Sequence, residues 1–143
     1  MTDTYRHSVS VAAVVTNEDG MILVIQRRDS GHWQLPGGIL EQHESIHDGV
    51  RREVLEETGI HIEPQHLTGV YKNIPLGVVA LVFRARYVEG MPRPTSESTA
   101  VEWWAPEQVI EGMLEAFAVR ITDALDFRDH AAVRQHDGTN LIH

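Results

Sequence analysis

One stretch of this chain, residues 38–60, constrains the fold most, because it carries the start, the apolar stripe and the stop of a single helix. Ser45 stands where its hydroxyl can cap the first turn, and Asp48 follows three residues later, as in a capping box. Gly59 is the residue type that commonly ends a helix. One stripe of the helix is apolar and is expected to enter the core; it consists of Ile46, Val50 and Val54.

The same helix carries three glutamates on one face. Glu53, Glu56 and Glu57 are spaced i, i+3 and i+4, and like charges at that spacing destabilise an isolated helix by a few tenths of a kcal/mol per pair. Crowded carboxylates also raise one another's pKa unless a cation compensates. A hard divalent ion with oxygen ligands would do so, and Mg²⁺ or Mn²⁺ fits best. Taken alone, the run is more typical of a solvated acidic helix face.

The whole stretch resembles the Nudix box, G-x5-E-x7-R-E-U-x-E-E-x-G-U with U an aliphatic residue. A chance match at one starting position has odds on the order of one in a billion. The resemblance implies an α/β fold, the Nudix-type α/β/α sandwich with a mixed β-sheet between helices. It also implies a hydrolase that uses divalent metal ions to cut a diphosphate linkage in a nucleotide-type substrate. All nine specified positions match: Gly38, Glu44, Arg52, Glu53, Val54, Glu56, Glu57, Gly59 and Ile60.

The resemblance further implies a role for most residues of the box. Arg52 would orient the glutamates, with Glu44 as a second supporting residue. Glu97, in the loop before the predicted strand 101–104, lies where relatives often carry a catalytic or metal-binding glutamate, although an exposed loop acid is the alternative. Glu53 is the other candidate general base, and Glu102 is a weaker one. The predicted catalytic residues are Glu53, Glu57 and Glu97. The predicted metal ligands are Gly38, through its carbonyl, Glu53, Glu56 and Glu57.

Four residues outside the box are predicted to contact substrate. Relatives often hold a phosphate with an arginine at the end of the second strand, where bidentate geometry favours arginine over lysine; Arg28 is preferred to Arg27. Trp33 resembles the usual lead-in to the box, and packing beneath the loop is its alternative. Tyr71 could stack on a base, although most strand aromatics belong to the core.

The substrate class is weakly encoded. Some ADP-ribose-cleaving relatives carry a proline about fifteen residues after the box, as Pro75 does here, but the segment 73–77 also has the composition of an ordinary turn. The prediction is a nucleoside diphosphate derivative (ADP-ribose-like or a nucleotide sugar) or a nucleoside triphosphate. The alternatives are a nucleotide-sensing module that does not cut, and an acidic interaction protein unrelated to nucleotides.

The remaining pattern predicts one domain over residues 1–143, with a core at about 6–128 and a C-terminal tail at 129–143 that lacks a pattern. Segment 29–38 is predicted to be irregular, because glycine and proline interrupt it. Helices are also predicted from Pro106 and over 114–125. Strands are predicted over 8–16, 21–25, 67–72, 78–88 and 101–104.

The composition of the chain limits which binding partners and cofactors are expected. The net charge of −9 opposes binding to a nucleic-acid polymer, which depends on many Lys and Arg contacts. The absence of cysteine excludes disulfides, thiolate metal sites and a cysteine nucleophile. Without a bilayer-length apolar run or a recognisable leader over residues 1–7, a cytoplasmic protein that does not use membranes is expected. Dimers are common among relatives, so a homodimer is possible.

Overall fold

The computed structural model describes residues 5–143, so residues 1–4, at the start of the segment inspected for a leader, lie outside the described residues. Within that part of the chain, no helix is both long and apolar enough to cross a membrane. The helices are α1 (Ile46–Thr58), α2 (Pro106–Gly112) and α3 (Glu115–Leu125). The strands are β1 (Ser8–Thr16), β2 (Ile22–Arg27), β3 (Trp33–Gln34), β4 (Gly37–Ile39), β5 (His61–Asn73), β6 (Val78–Glu89), β7 (Ser98–Trp104), β8 (Ala132–His136) and β9 (Leu141–Ile142).

The strands form one mixed sheet in the order β3-β2-β1-β6-β5-β8-β9, with β4 also paired to β1 and β7 to β2. β1 runs parallel to β6, and β5 runs antiparallel to β6 and parallel to β8. β4 lies antiparallel to β1, with Gly38 opposite Val11 and Gly37 opposite Ala12. This pairing holds the glycine-rich loop against β1, a strand whose residues from Val11 to Val15 are all buried.

Side chains of β1 alternate between two cores, as a strand covered on both faces requires. Val11, Ala13 and Val15 pack with Val50 and Val54 of α1. On the opposite face, Ala12 and Val14 belong to the cluster that contains Ala118 and Ile121 of α3. Burial of each such valine or isoleucine contributes about 1.5–3 kcal/mol. The two cores confirm the predicted α/β/α sandwich.

Both predicted ends of α1 are confirmed. The Ser45 hydroxyl accepts a hydrogen bond from the Asp48 backbone N–H at 3.1 Å. Gly59 has φ 79°, a left-handed conformation that favours glycine, and its N–H donates to Leu55 O. The expectation that Ile46 enters the core is wrong: its side chain is 43% exposed, because the first turn of α1 lies outside both buried clusters.

Two segments predicted without regular structure contain strands. The predicted tail includes β8, whose backbone pairs with the edge of β5 from Gly69 to Asn73, and β9, which pairs with β8. Backbone pairing orders this segment although only one of the five β8 residues is fully buried, so the sequence carries no apolar signal. Likewise, β3 and β4 are too short, at two and three residues, to show a period.

Candidate active site

Two glutamates of α1 are buried against the backbone of the glycine-rich loop. Glu53 is 9% exposed and Glu57 5% exposed, whereas the Glu56 side chain is 61% exposed. A Cβ placed on Gly38 would lie 2.5 Å from Glu53 Oε2, so only glycine allows β4 to approach this carboxylate. The Gly37 N–H donates to Glu57 Oε2 at 3.4 Å. The loop and the helix therefore enclose both carboxylates together.

The charges of these two glutamates are poorly compensated. Burial raises the pKa of Glu57 to about 8; the Gly37 N–H opposes this, and the nearby charges of Glu53 and Glu97 add to it. Within residues 5–143, Glu57 forms no salt bridge. Burial also raises the pKa of Glu53, against the lowering effect of Arg52. Two adjacent carboxylates out of water, one of them unpaired, indicate a site that is completed by a cation.

Arg52 joins the remaining acids of the box into one network. Its guanidinium donates to both oxygens of Glu44, at 2.8 Å from Nε and 2.6 Å from Nη2. Its Nη1 donates to Glu53 at 2.9 Å and to Glu56 at 3.2 Å. The same guanidinium holds the pKa of Glu44 at about 2. Arg52 thus lies among the glutamates, in the position expected of an orienting residue.

The donor set fits a hard divalent cation. The available oxygens are carboxylates and backbone carbonyls, which Mg²⁺ and Mn²⁺ prefer, and no thiolate competes in this cysteine-free chain. Within residues 5–143, no three acidic or imidazole side chains already converge on one point. Arg52 bonds to Glu53 and Glu56 instead, so closing a site requires these two side chains to turn from Arg52 toward Glu57.

A cavity of about 530 Å³ begins beside this loop and continues along the α3 face of the sheet. Gly37, Gly38 and Arg27 line one part of it. Another part is lined by Phe117 and Arg120 of α3 together with β8 and the turn that follows it. A volume of this size is typical of small-molecule sites. The carboxylates and the cavity therefore lie on either side of the same two glycines.

The adjacent arginines at the end of β2, Arg27 in the strand and Arg28 just after it, take different positions. Arg27 lines the cavity, and its Nε and Nη2 donate to Asp29 at 2.9 and 2.7 Å. Arg28 donates instead to the backbone carbonyls of Ser96 and Thr95, both at 3.1 Å, and so anchors the loop before β7. The preference for Arg28 over Arg27 as a phosphate contact is not supported by this geometry.

Neither aromatic residue predicted to contact substrate reaches the cavity. Tyr71 is fully buried, and its hydroxyl donates to Asp123 at 2.8 Å, so the prediction that it stacks on a base is wrong. The ring of Trp33 packs on Trp104, with centroids 4.7 Å apart, and contacts the core cluster on the α3 face. Trp33 therefore takes its alternative, packing beneath the loop, because sheet and helices cover both residues.

The two acids downstream of the box differ in their partners. Glu97 is exposed in the loop before β7, and its charge adds to the raised pKa of both Glu53 and Glu57. Glu102 accepts a hydrogen bond from Trp104 Nε1 at 2.8 Å. Glu97 therefore contributes to the electrostatics of the buried pair, whereas Glu102 is held by Trp104.

The cavity-lining residues that the sequence did not indicate include Phe117, Arg120 and His136. Phe117 lies within the predicted helix 114–125, where an apolar side chain is typical of an ordinary core residue. Arg120 lies three residues further on, and therefore on the same face, which is the one available signal. His136 lies in the predicted tail, and nothing in the sequence shows that it is only 1% exposed.

Comparison with known proteins identifies the family. The family model of the NUDIX domain matches residues 6–125. The chain belongs to the Nudix family. This Nudix chain is 56% identical over 136 residues to a MutT-like protein of Streptomyces ambofaciens, a match that covers 95% of this chain and 88% of the relative. Over 93 residues it is 39% identical to a human 8-oxo-dGDP phosphatase, covering 63% of this chain and 28% of that protein.

A solved Nudix structure has the same fold as this chain. An ADP-ribose pyrophosphatase from Streptococcus suis superposes with a TM-score of 0.76 at 25% identity, covering 92% of this chain and all of that one. The family and these relatives identify the chain as a Nudix pyrophosphohydrolase. Members of the family generally use divalent metals and act on small nucleotide substrates.

Proposed function

We propose that this Nudix chain hydrolyses a diphosphate linkage with Mg²⁺ or Mn²⁺, in a nucleoside diphosphate derivative or a nucleoside triphosphate. One observation carries the proposal: Glu57, 5% exposed and without a salt bridge in the described part of the chain, lies beside Glu53 against the backbone of Gly37 and Gly38. Burial raises the pKa of both carboxyl groups, and a bound cation would stabilise their ionised forms. A divalent cation would serve both folding and catalysis.

The metal ligands would be Glu53, Glu56, Glu57 and the Gly38 carbonyl. When bound, a divalent ion supplies charge neutralisation of the diphosphate oxygens and activation of water for in-line displacement. The side chain of Glu56 is the exposed one, so it is the ligand most free to turn inward. Arg52, fixed by two hydrogen bonds to Glu44, would limit how far Glu53 and Glu56 move.

The other residues of the chain would bind and orient substrate. Arg27 is proposed to hold a phosphate oxygen, because it lines the cavity next to Gly37 and Gly38 while Arg28 is engaged by the loop. The attacking water would lose its proton to a carboxylate. Glu97 and Glu53 are the two candidates: Glu97 is exposed near the pair, and Glu53 is buried but bonded to Arg52.

The proposed substrate is a nucleoside diphosphate derivative or a nucleoside triphosphate. The relatives are named for different substrates, an 8-oxo-dGDP phosphatase and an ADP-ribose pyrophosphatase among them. Pro75 lies in the turn between β5 and β6, and its neighbours Asn73 and Leu76 line the cavity, so the turn borders the proposed substrate site. The nucleotide-sensing alternative gains no support, because every glutamate of the box is present.

The substitution Glu57→Gln tests the proposal. It removes one proposed metal ligand while keeping the side-chain volume, so we expect turnover to fall by more than about 100-fold. Manganese titration followed by electron paramagnetic resonance should show weaker Mn²⁺ binding at the same time. The matched control is Glu111→Gln, an exposed acid of α2 outside the cavity, which should leave both quantities unchanged. Glu57→Gln with more than half the wild-type turnover and unaltered Mn²⁺ binding would refute the metal assignment.

A further inference from the structure

A second cavity, of about 820 Å³, lies at the far end of β1 from the glycine-rich loop. Thr16, the last residue of β1, lines it and stands five residues beyond Val11, which pairs with Gly38. At the rise of an extended strand, that separation is about 16 Å. None of the described residues that line this second cavity lines the first. The second cavity is therefore separate from the candidate active site.

The character of β6 changes where the second cavity begins. Ala80 and Val82 belong to the buried core on the α3 face of the sheet. Because side chains of a strand alternate, the next two positions on that face are Arg84 and Arg86, and both line the second cavity. Ala124, in the last turn of α3, lines it as well. The arginines therefore begin where the helix stops covering the sheet.

Three guanidinium groups present donors to the second cavity. Arg86 and Arg128 line it and are exposed, and the side chain of neither forms a hydrogen bond or salt bridge with a described residue. Arg84 is half-buried, and its Nη1 donates at 3.4 Å to the carbonyl of Ala124, at the helix end where a cation is favoured. The other two nitrogens of Arg84 have no described partner and reach solvent, since the one buried unpartnered side-chain nitrogen among the described residues is that of Arg120. The end of α3 thus engages one nitrogen of the set.

The charge of the second cavity is opposite to that of the whole chain. The chain has 21 acidic residues against 12 lysines and arginines, yet Glu18 is the one acid among the described residues that line this cavity. Asn17 also lines it, and its Oδ1 accepts two backbone N–H groups, so its amino group is left to donate. A local excess of cationic donors in an acidic protein indicates a site for a compact anion.

The donors of this cavity fit a diphosphate group best. The guanidinium fork matches pairs of phosphate oxygens, and a diphosphate carries enough charge and acceptors for more than one arginine. A nucleic-acid polymer is disfavoured by the net charge of −9. We propose that the second cavity binds a diphosphate group through Arg84, Arg86 and Arg128. This inference goes beyond the proposed function and does not depend on it, because it requires neither a metal ion nor hydrolysis.

Calorimetric titration with inorganic diphosphate tests the site in buffer freed of divalent metal by a chelating resin. Without metal, the glutamates of α1 repel the anion, so the second cavity is the expected binding site. We expect the double substitution Arg86→Gln with Arg128→Gln to weaken binding by at least about 10-fold, because two charge-assisted contacts are lost. The charge-matched control is Arg6→Gln with Arg93→Gln. Both of these arginines are exposed and line neither cavity, so affinity should stay within about twofold of wild type.

A substitution that strengthens binding separates recognition from folding. Glu18→Gln removes the one acid that lines the cavity, so we expect inorganic diphosphate to bind about 3-fold more tightly. Glu111→Gln, which removes an exposed acid outside both cavities, should leave the affinity unchanged. A gain of affinity cannot come from a folding defect.

Nuclear magnetic resonance of the ¹⁵N-labelled protein locates the bound anion. We expect inorganic diphosphate without metal to shift the backbone amide signals of Thr16, Arg86 and Arg128, and to leave those of Gly37 and Gly38 in place. Shifts confined to the two glycines would overturn the proposal. It would also be overturned by an absence of binding, or by equal affinities in the two double variants.

Two further anions test the assigned ligand class. Citrate has similar charge but carries carboxylates, and tighter binding of citrate than of diphosphate would overturn the assignment to phosphate. Adenosine diphosphate carries the same diphosphate group on a nucleoside. If it binds more tightly than inorganic diphosphate, and Arg86→Gln with Arg128→Gln removes that gain, the site takes the group from a nucleotide. Tighter binding of the inorganic ion supports the same site with free diphosphate as its ligand.

Discussion

The two faces of the central sheet bury unpaired charged groups of opposite sign. On the α1 face, Arg52 bonds to Glu44, Glu53 and Glu56, whereas the buried Glu57 forms no salt bridge with any described residue. On the α3 face, the buried guanidinium of Arg120 lies over the rings of Tyr71 and Phe117, and its Nε has no hydrogen-bond partner. The α1 face therefore holds a buried carboxylate without a salt bridge, and the α3 face holds a buried cation without one. Under the proposed function, a bound divalent cation would compensate the carboxylate of the α1 face beside Gly37 and Gly38.

The largest of three mutational effects should come from the network on the α1 face. Arg52→Lys keeps the charge but loses the fork that bonds both oxygens of Glu44, so the glutamates would be held less firmly. We expect kcat to fall by about 10- to 100-fold, the usual effect of losing a residue that supports metal ligands. Arg51→Lys is the matched control, because Arg51 pairs with Asp48 and Glu63 away from the site. Equal kinetics for the two variants would remove Arg52 from the catalytic arrangement.

A smaller effect should separate Arg27, the last residue of β2, from Arg28, which follows it. Arg27→Met removes a cavity-lining cation, so we expect KM to rise by about 10-fold, equivalent to one charge-assisted hydrogen bond. Arg28→Met should lower the melting temperature instead, because the loop carbonyls of Thr95 and Ser96 lose their donor. Steady-state kinetics and thermal unfolding of both variants measure this. The reverse pattern would restore Arg28 as the phosphate contact.

The smallest effect concerns the buried tyrosine under the cavity. Tyr71→Phe removes one hydrogen bond to Asp123, which still accepts both nitrogens of the Arg134 fork at 2.7 Å. We expect a loss of about 1 kcal/mol in the free energy of unfolding, measured by urea denaturation, with kcat and KM within twofold of wild type. A large rise in KM with unchanged stability would mean that Tyr71 does meet substrate.

The difference between the two faces of the sheet explains which part of the candidate site could be predicted from the sequence. The glutamates of the α1 face lie in one continuous stretch with its own cap, apolar stripe and stop, so the position of Glu53 and Glu57 on one helix follows from spacing alone. The cavity wall combines β2, α3 and β8, which only the fold brings together. The pairing of β2 with β7 shifts register between Gln26 and Arg27. The sequence does not reveal such a shift, so it could not predict that Arg27 and Arg28 take different positions. His136 was missed because β8 is ordered by backbone pairing.

Substrate turnover tests the central claim most directly. Purified protein would be incubated with nucleoside triphosphates, ADP-ribose, nucleotide sugars and dinucleoside polyphosphates, each with Mg²⁺, with Mn²⁺, and with the metal chelated. Coupled phosphate release and product identification would follow the reaction. We expect cleavage of a diphosphate linkage in at least one class, abolished by chelation and restored by added metal. Tight binding of a nucleotide without cleavage under any metal condition, or cleavage that chelation leaves unchanged, would contradict a metal-dependent pyrophosphohydrolase built on these glutamates.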